Sequence, residues 1–364
     1  MKIMFIANTI GCLRTFRYEL IETLLKRGDE VYISAGYDES PDIFVKLGCK
    51  VIETPVTRKG MNPIAEMKLY RFYLKMLKEV KPDVALSYTI KPNVYAGAAC
   101  GRTGVPLIAN VTGLGAMEGD GLVAKIITRL FKWGFKCTER VYFQNAFSKE
   151  RFKEVGINVK DARLIAGSGV NLKRFEYVEY PSEEQGINLM LIVRLVKEKG
   201  VDQYFEAAEY FHNKGANVNF NIVGICDDSA YKEKLDELEH RGVVKYYGET
   251  KDVRPYMRTT HCQIHPSYYP EGLSNVLLES AATGRPAITT DKPGCKDVVV
   301  DGVTGFISRQ KDGQDLISKI EKFLALSWEE KRQMGINARK RVEEIFDREK
   351  VIAEYISAID ELVK

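Results

Sequence analysis

The chain has 364 residues, of which 45% are hydrophobic and 29% are charged, which excludes a disordered or fibrous protein and leaves room for two α/β domains. Its seven cysteines are scattered and form no C-x-x-C, which argues against a disulfide framework and a cysteine-rich metal site. The net charge of +4 is uneven, because residues 1–175 hold 28 basic and 17 acidic side chains (net +11) and the remainder hold 26 and 33 (net −7). We therefore expect the two halves to bind different partners.

Strand-like and helix-like runs alternate along the first half. This rhythm predicts a parallel, doubly wound α/β sheet. The predicted elements cover residues 3–7, 16–27, 30–35, 50–52, 67–80, 84–87, 94–100, 107–111, 121–136, 140–143 and 148–154.

The pattern breaks near residues 167–169, and the charged stretch 176–186 is the predicted linker. A second cycle of strands and helices then runs from residue 188 to 290. The prediction is two similar domains in tandem, residues 1–175 and 176–344, that face a cleft, with a C-terminal helix at about 345–364 packing back on the first.

The run at residues 121–136 is a basic amphipathic helix. Lys125, Arg129, Lys132 and Lys136 lie largely off its apolar face, and Trp133 is near the border. At about 1 kcal/mol per basic residue, this helix would attach reversibly to an anionic membrane surface. The alternative is that the apolar face packs on the first sheet. Because the opening apolar run is too short for a signal peptide or a spanning helix, we expect a cytoplasmic protein.

The segment at residues 266–279, P-S-Y-Y-P-E-G-L-S-N-V-L-L-E, carries two glutamates, Glu271 and Glu279. A strand is predicted before it and a helix from near Gly272, whose N-terminal N–H groups favour a bound phosphate. The carboxylates should lie on the order of 12 Å apart, beyond the ~5 to 9.5 Å of a glycoside hydrolase pair. Two contacts along one extended ligand therefore fit better than an acid and base. Ordinary first-turn and surface glutamates remain the alternative.

Two basic residues, Arg194 and Lys199, follow the first strand of the second half in R-L-V-K-E-K-G. They should reach the same rim of the sheet as Glu271, where two cations suit a diphosphate, although basic residues of a surface loop are the alternative. The loop at residues 8–11 has one glycine and no G-x-G-x-x-G or Walker pattern, which argues against a dinucleotide oxidoreductase and a nucleoside triphosphatase. No D-x-D occurs, so no metal-chelated diphosphate is predicted.

These motifs, together with V-G at 223–224, Y-G at 247–248 and D-G-V-T-G-F, resemble in order and spacing the retaining glycosyltransferases of family 4 over nearly the whole chain. The resemblance implies the GT-B fold with two Rossmann-like domains, a nucleotide-sugar donor and no metal or other cofactor. It implies catalytic roles for Glu271, Arg194 and Lys199, with the diphosphate on the two cations and the ribose hydroxyls on Glu279. The other implied donor-site positions are Gly11, Gly224, Tyr247, Gly248, Gly272, Leu273 and Ser274, with the base near residues 247–250.

A narrower likeness lies in the first half. S-Y-T-I-K-P-N-V-Y-A-G and P-L-I-A-N-V-T-G-L-G are similar to capsule, O-antigen and lipid-linked oligosaccharide members, which extend a saccharide on a polyprenyl diphosphate. The resemblance implies such an acceptor, with Lys91 and Thr112 on its side of the site, a UDP-sugar donor and a peripheral place on the inner face of the cytoplasmic membrane. Many members have a histidine where this chain has Thr112, and a plain helix-start lysine is the alternative for Lys91.

His265 borders the segment at 266–279, but with His261 it forms no convincing metal pair, and a core or supporting role is favoured. Other functions remain open at this point. A nucleotide-sugar epimerase or a phosphorylase would use the same fold, and the basic half also suits a non-enzymatic nucleotide-binding module. Nucleic acid is not an expected partner, because the basic residues match no known nucleic-acid motif.

Overall fold

The computed structural model describes residues 1–56, 62–119 and 121–363. The chain forms two compact units. Unit 1 comprises residues 1–168 and 349–364, and unit 2 comprises residues 169–348.

In its described part, unit 1 contains a sheet of seven parallel strands in the order β3-β2-β1-β4-β5-β6-β7. The strands are β1 (Lys2–Thr9), β2 (Glu30–Gly36), β3 (Lys50–Glu53), β4 (Val84–Tyr88), β5 (Leu107–Val111), β6 (Arg140–Phe143) and β7 (Asp161–Leu164). The helices along residues 1–168 are α1 (Ile10–Phe16), α2 (Tyr18–Lys26), α3 (Asp42–Leu47), α4 (Pro63–Val80), α5 (Gly97–Thr103), α6 (Leu122–Gly134) and α7 (Ala146–Glu154). A π-helical turn at Pro92–Ala96 precedes α5, and a 3₁₀ turn at Gly115–Glu118 precedes α6.

Unit 2 contains six parallel strands in the order β10-β9-β8-β11-β12-β13. The strands are β8 (Ile187–Ile192), β9 (Val218–Val223), β10 (Lys245–Tyr246), β11 (Cys262–His265), β12 (Ala287–Thr290) and β13 (Gly305–Ser308). The helices are α8 (Val201–Asn213), α9 (Ser229–His240), α10 (Arg254–Thr259), α11 (Asn275–Ala282), α12 (Gly313–Leu324) and α13 (Trp328–Ile345).

The last helix, α14 (Arg348–Leu362), packs on the core of unit 1. Its buried residues Tyr355 and Ile359 join the apolar cluster that β1, β2 and α2 form. Arg140 of β6 bonds to Glu361 at 2.6 Å, which fixes the end of the helix beside the sheet.

The predicted doubly wound parallel architecture is confirmed, and the differences lie at helix breaks and short strands. The helix predicted at 16–27 is two helices, α1 and α2, that meet at Arg17, whose backbone is non-helical at φ −135°. Its buried guanidinium lies 4.6 Å from the ring of Tyr88 and 5.3 Å from that of Tyr355. The C-terminal helix predicted at about 345–364 is α14, which begins at Arg348, and the strands β7 and β13 were not predicted.

The structure also bears on membrane crossing. Within residues 1–56, 62–119 and 121–363, no helix has the length and apolar character needed to cross a bilayer.

Candidate functional site

The polar residues predicted in unit 2 lie at one edge of its sheet. Arg194 follows β8, Gly224 follows β9, Gly248 follows β10, and Glu271 lies in the loop after β11. These four strands are neighbours and parallel, so their carboxyl ends meet along the same edge. In open α/β sheets, ligands bind at this edge.

Lys199 and Glu271 form an ion pair across two loops of this edge. Their side chains are 18% and 16% exposed, so the pair is shielded from most of the solvent. The ring of Tyr269 lies 5.0 Å from the Lys199 ammonium. Burial, together with the positive charge of Arg194, lowers the pKa of Lys199 to about 8. Arg194 itself is exposed, which leaves its guanidinium accessible to a ligand.

Two glycines allow the backbone to approach closely at this edge. Gly200, at φ +74°, precedes α8, and a Cβ there would lie 2.2 Å from the carbonyl oxygen of Pro266. Gly224, at φ +143°, would place a Cβ 1.7 Å from the carbonyl oxygen of Val193. The Gly224 N–H donates to the carbonyl of Gly248 at 2.9 Å, so the structure joins two of the predicted donor-site positions.

The N-terminus of α11 lies slightly later than predicted. The helix begins at Asn275 rather than near Gly272, because the Ser274 N–H donates to the carbonyl of Gly294 at 3.0 Å. Gly272, Leu273 and Ser274 are buried in the turn that leads into it. A helix leaves its first N–H groups without intrahelical partners, so the available donors are those of residues 275–277 rather than that of Ser274.

Glu279 lies in the second turn of α11 and is half-buried. Burial raises the pKa of its carboxyl group to about 7, although the charges of Arg174 and Arg348 oppose this shift. Glu279 is therefore not a freely solvated surface carboxylate. At neutral pH it exchanges between a neutral form and a charged form that accepts hydrogen bonds from hydroxyl groups.

Tyr247, predicted near the base, is 38% exposed just after β10. Its hydroxyl donates to the Asn221 side chain at 3.3 Å, and its ring lies edge-on to that of Tyr256 at 5.0 Å. Tyr247 also lines a cavity of about 710 Å³ with Asn188 and Val218, which lie at the amino ends of β8 and β9, so this cavity is not at the carboxyl edge that holds Arg194 and Glu271. The residue is held in a defined orientation beside open space.

The two histidines are both buried. His261 Nδ1 accepts from the Asn188 N–H at 2.9 Å, and its Nε2 lies 3.1 Å from the Ser182 carbonyl, which assigns it a role in the core. His265 Nε2 lies 3.1 Å from the Ser274 hydroxyl. Across the described parts of the chain, no cluster of three His, Cys, Asp or Glu side chains is arranged to hold a metal ion.

The predicted positions of unit 1 lie at the ends of three adjacent strands. Gly11 follows β1, Lys91 follows β4, and Thr112 follows β5, and these strands are neighbours in the sheet. The Gly11 N–H donates to the carboxylate of Asp38 at 3.0 Å. The sequence gives no signal for this contact, because Asp38 lies in an irregular loop after β2.

Lys91 forms an ion pair with Glu66 of α4 at 2.6 Å, and the two side chains are 15% and 11% exposed. The carboxylate of Glu66 compensates the charge of Lys91. The structure therefore gives less support to the prediction that Lys91 binds an acceptor phosphate. Sequence reasoning missed Glu66. The signal available was the helix start Asn62-Pro63, which places Glu66 in the first turn, directed inward among apolar neighbours.

The basic helix predicted at 121–136 is α6, which begins after Gly121, and part of its apolar face packs on unit 1, as the alternative predicted. Five apolar or small residues of this segment are buried against unit 1: Ala124, Ile127, Phe131, Gly134 and Phe135. Leu122 (72% exposed), Val123, Ile126 and Trp133 remain exposed, as do the four basic residues Lys125, Arg129, Lys132 and Lys136. Ile64 and Met67 at the start of α4 are exposed as well.

Comparison with known families decides the class. Residues 173–341 match the family "Glycosyl transferases group 1", and residues 2–145 match the family "Glycosyl transferase 4-like". The chain is a glycosyltransferase. The resemblance inferred from the motifs is confirmed, and the group 1 match contains every residue predicted for the donor site except Gly11.

Relatives and solved structures agree with this class. The glycosyltransferase is 28% identical to the N,N'-diacetylbacillosaminyl-diphospho-undecaprenol alpha-1,3-N-acetylgalactosaminyltransferase of Campylobacter jejuni, over 100% of both chains. It is 24% identical to the UDP-Gal:alpha-D-GlcNAc-diphosphoundecaprenol alpha-1,3-galactosyltransferase of Escherichia coli, over 80% of this chain and 81% of that one. The crystal structure of Anabaena HepE with UDP superposes with a TM-score of 0.81 at 17% identity, over 99% and 100% of the chains. The fold is GT-B.

Proposed function

We propose that this glycosyltransferase moves a sugar from UDP to a saccharide carried on a polyprenyl diphosphate, with retention of the anomeric configuration, in the assembly of a surface polysaccharide. The names of the Campylobacter and Escherichia relatives support the acceptor class. The Escherichia relative and the UDP complex of Anabaena HepE support the uridine base. The observation that carries the donor site is the Lys199–Glu271 ion pair beside the start of α11.

The donor diphosphate lies on Arg194, Lys199 and the first-turn amides of α11. Charge-assisted hydrogen bonds of this kind contribute about 1.5 to 3 kcal/mol each, and the N-terminal end of the helix dipole adds to them. Glu271, held by Lys199, faces the donor sugar. Glu279 in its charged form accepts from the ribose hydroxyls. These cations and amides belong to the protein, so the proposed site needs no metal ion.

Transfer proceeds by front-face displacement. The acceptor hydroxyl attacks the anomeric carbon on the side from which the diphosphate leaves, so the new C–O bond has the configuration of the old one. The bond between the anomeric carbon and the phosphate oxygen breaks, its electron pair leaves with UDP, and the hydroxyl proton passes to the departing phosphate oxygen. Arg194, Lys199 and the α11 amides stabilise the negative charge that grows on the leaving group.

The acceptor lipid requires that the enzyme work at a membrane surface. We place that contact at the membrane-facing surface, defined as the exposed side of α6 and the first turns of α4. Leu122, Ile126, Arg129 and Trp133 follow one another at intervals of four, three and four residues, so they share one side of the helix. Exposed apolar and basic side chains together favour an anionic bilayer. The enzyme is then peripheral on the cytoplasmic side of the membrane.

A direct assay tests the proposal. The protein is incubated with a panel of UDP- and GDP-sugars and a short polyprenyl-diphosphate saccharide, in buffer containing EDTA, and the products are weighed by mass spectrometry. We expect one UDP-sugar to add a single sugar to the lipid-linked acceptor. Epimerisation of a UDP-sugar with no acceptor present would show that the protein is an epimerase. A strict requirement for free phosphate would show that it is a phosphorylase.

A further inference from the structure

The serine at the start of α11 does not cap its helix. Ser274 occupies the N-cap position, but its side chain makes no capping hydrogen bond. Among the described residues, six other helices are preceded by a Ser, Thr, Asn or Asp whose side chain accepts from the first turn: Thr9, Asn62, Asn145, Asp228, Asp312 and Ser327. A serine at the N-cap normally accepts from the second or third N–H of its helix.

The Ser274 hydroxyl is held by His265 instead. The imidazole Nε2 lies 3.1 Å from Ser274 Oγ, and both residues are 1% exposed. His265 is the last residue of β11, so it is fixed by the sheet, while Ser274 ends the loop that follows. The contact therefore joins the two residues that flank the loop of residues 266–273.

The imidazole is neutral in this position. Burial and the charge of Lys199 hold the pKa of His265 well below its ordinary value. Its Nδ1 has no hydrogen-bond partner among the described residues. A buried N–H without an acceptor is rarer than a buried acceptor without a donor, which places the proton on Nε2, where it donates to Ser274 Oγ. The histidine thus holds the serine hydroxyl through Nε2, and the first turn of α11 has no side-chain cap from Ser274.

We propose that His265 is a positioning residue for the donor diphosphate. By holding the Ser274 hydroxyl, it prevents that oxygen from capping α11 and keeps the N–H groups of residues 275–277 available to the phosphates. The inference rests on the donor site proposed above and adds to it a residue that touches neither sugar nor phosphate. Without His265, rotation of the serine side chain would let Oγ accept from the Leu277 N–H and compete with the ligand.

Binding measurements on four proteins test this role. UDP, inorganic pyrophosphate and uridine are titrated calorimetrically into the wild type, His265→Phe, Ser274→Ala and the double variant. We expect His265→Phe to weaken UDP and pyrophosphate about five- to thirty-fold, the range of an N-cap bond, and to leave uridine within about twofold. In the Ser274→Ala background the same histidine change should cost nothing further, because no hydroxyl remains to compete.

The matched variant His265→Gln retains an N–H donor near the Nε2 position and should bind UDP like the wild type. An equal loss in both serine backgrounds, or a parallel loss of uridine binding, would assign His265 to packing alone and overturn the inference. A wild type that binds pyrophosphate but not UDP would overturn the proposed base, and the pyrophosphate titrations would still decide on His265. If His265→Phe does not fold, His265→Leu takes its place in the same comparison.

Discussion

Lys199 and Glu271 come from different loops of unit 2, and their ion pair is the point at which the sequence motifs R-L-V-K-E-K-G and P-E-G meet. Because the pair is shielded, the carboxylate has a fixed position at the carboxyl edge of the sheet. In the proposed reaction it faces the donor sugar while the lysine serves the diphosphate. The two side chains therefore act as one unit.

Removal of Glu271 should lower turnover without unfolding the protein. Glu271→Ala leaves the backbone of the loop intact but removes a group placed at the reacting sugar, so we expect kcat to fall about 100- to 1,000-fold. Steady-state transfer assays measure the effect. Glu233→Ala, on the exposed side of α9, is the matched control and should retain wild-type kcat. Near-normal transfer by Glu271→Ala would remove the residue from the site.

Donor binding should depend on pH through Glu279. Burial raises the pKa of this carboxyl to about 7, and the charged form accepts from ribose hydroxyls more strongly than the neutral form. Affinity for UDP should therefore rise between pH 6 and pH 8, and the rise should be absent in Glu279→Gln. Calorimetric titration across this range measures it. A wild-type affinity that does not change with pH would contradict the assignment.

The same shift has a consequence for stability. Since the folded protein favours the protonated carboxyl, Glu279 destabilises the fold increasingly as the pH rises from its ordinary value of 4.5 to about 7, and the full cost remains above that. Glu279→Gln should thus unfold at a higher urea concentration than the wild type at pH 8 and at a similar one at pH 4. Equal midpoints at pH 8 would show that the carboxyl is better solvated than the structure indicates.

Membrane attachment should be electrostatic and reversible. The triple variant Lys125→Glu, Arg129→Glu and Lys132→Glu should lose binding to vesicles of phosphatidylglycerol and phosphatidylethanolamine, and added salt should release the wild type. Sedimentation with vesicles measures binding, and a blue shift of Trp133 fluorescence reports contact. Reversal of Lys319 and Lys322 on α12 is the matched control. Vesicle binding that does not decrease with added salt would contradict electrostatic attachment through the membrane-facing surface.

The Lys91–Glu66 ion pair should contribute to the stability of the folded protein. Glu66→Ala leaves a largely buried ammonium without its carboxylate, which should lower the free energy of unfolding by about 3 kcal/mol. The double variant Glu66→Met and Lys91→Met removes both charges and should regain most of that loss. Urea unfolding compares them. A double variant as unstable as Glu66→Ala would show that the charges are not the source of the effect.

Much of this arrangement could be predicted from the sequence, because strand and helix runs alternate clearly and the loop motifs follow strand ends. The parallel sheets and the joint position of Arg194, Lys199 and Glu271 along one edge follow from that order alone. The break at Arg17 could not be predicted, because it depends on contacts with Tyr88 and the distant Tyr355.

Side-chain pairings between distant segments account for the other differences. The contact of Asp38 with Gly11 and the bond of His265 to Ser274 leave no periodic signal, because each joins residues of separate elements. Helix α11 begins at Asn275 rather than near Gly272 because the carbonyl of Gly294, a residue of another loop, accepts a hydrogen bond from the Ser274 N–H. The local sequence pattern therefore predicts the helices and strands, whereas hydrogen bonds between distant residues determine which groups are available at their ends.

The configuration of the product tests the central claim most directly. The enzyme is supplied with an α-linked UDP-sugar and a polyprenyl-diphosphate saccharide, and the anomeric coupling of the new linkage is measured by NMR after the lipid is removed. The account predicts one added sugar in the α configuration. A β-linked product, or UDP-sugar hydrolysis without transfer to the lipid-linked saccharide, would contradict it.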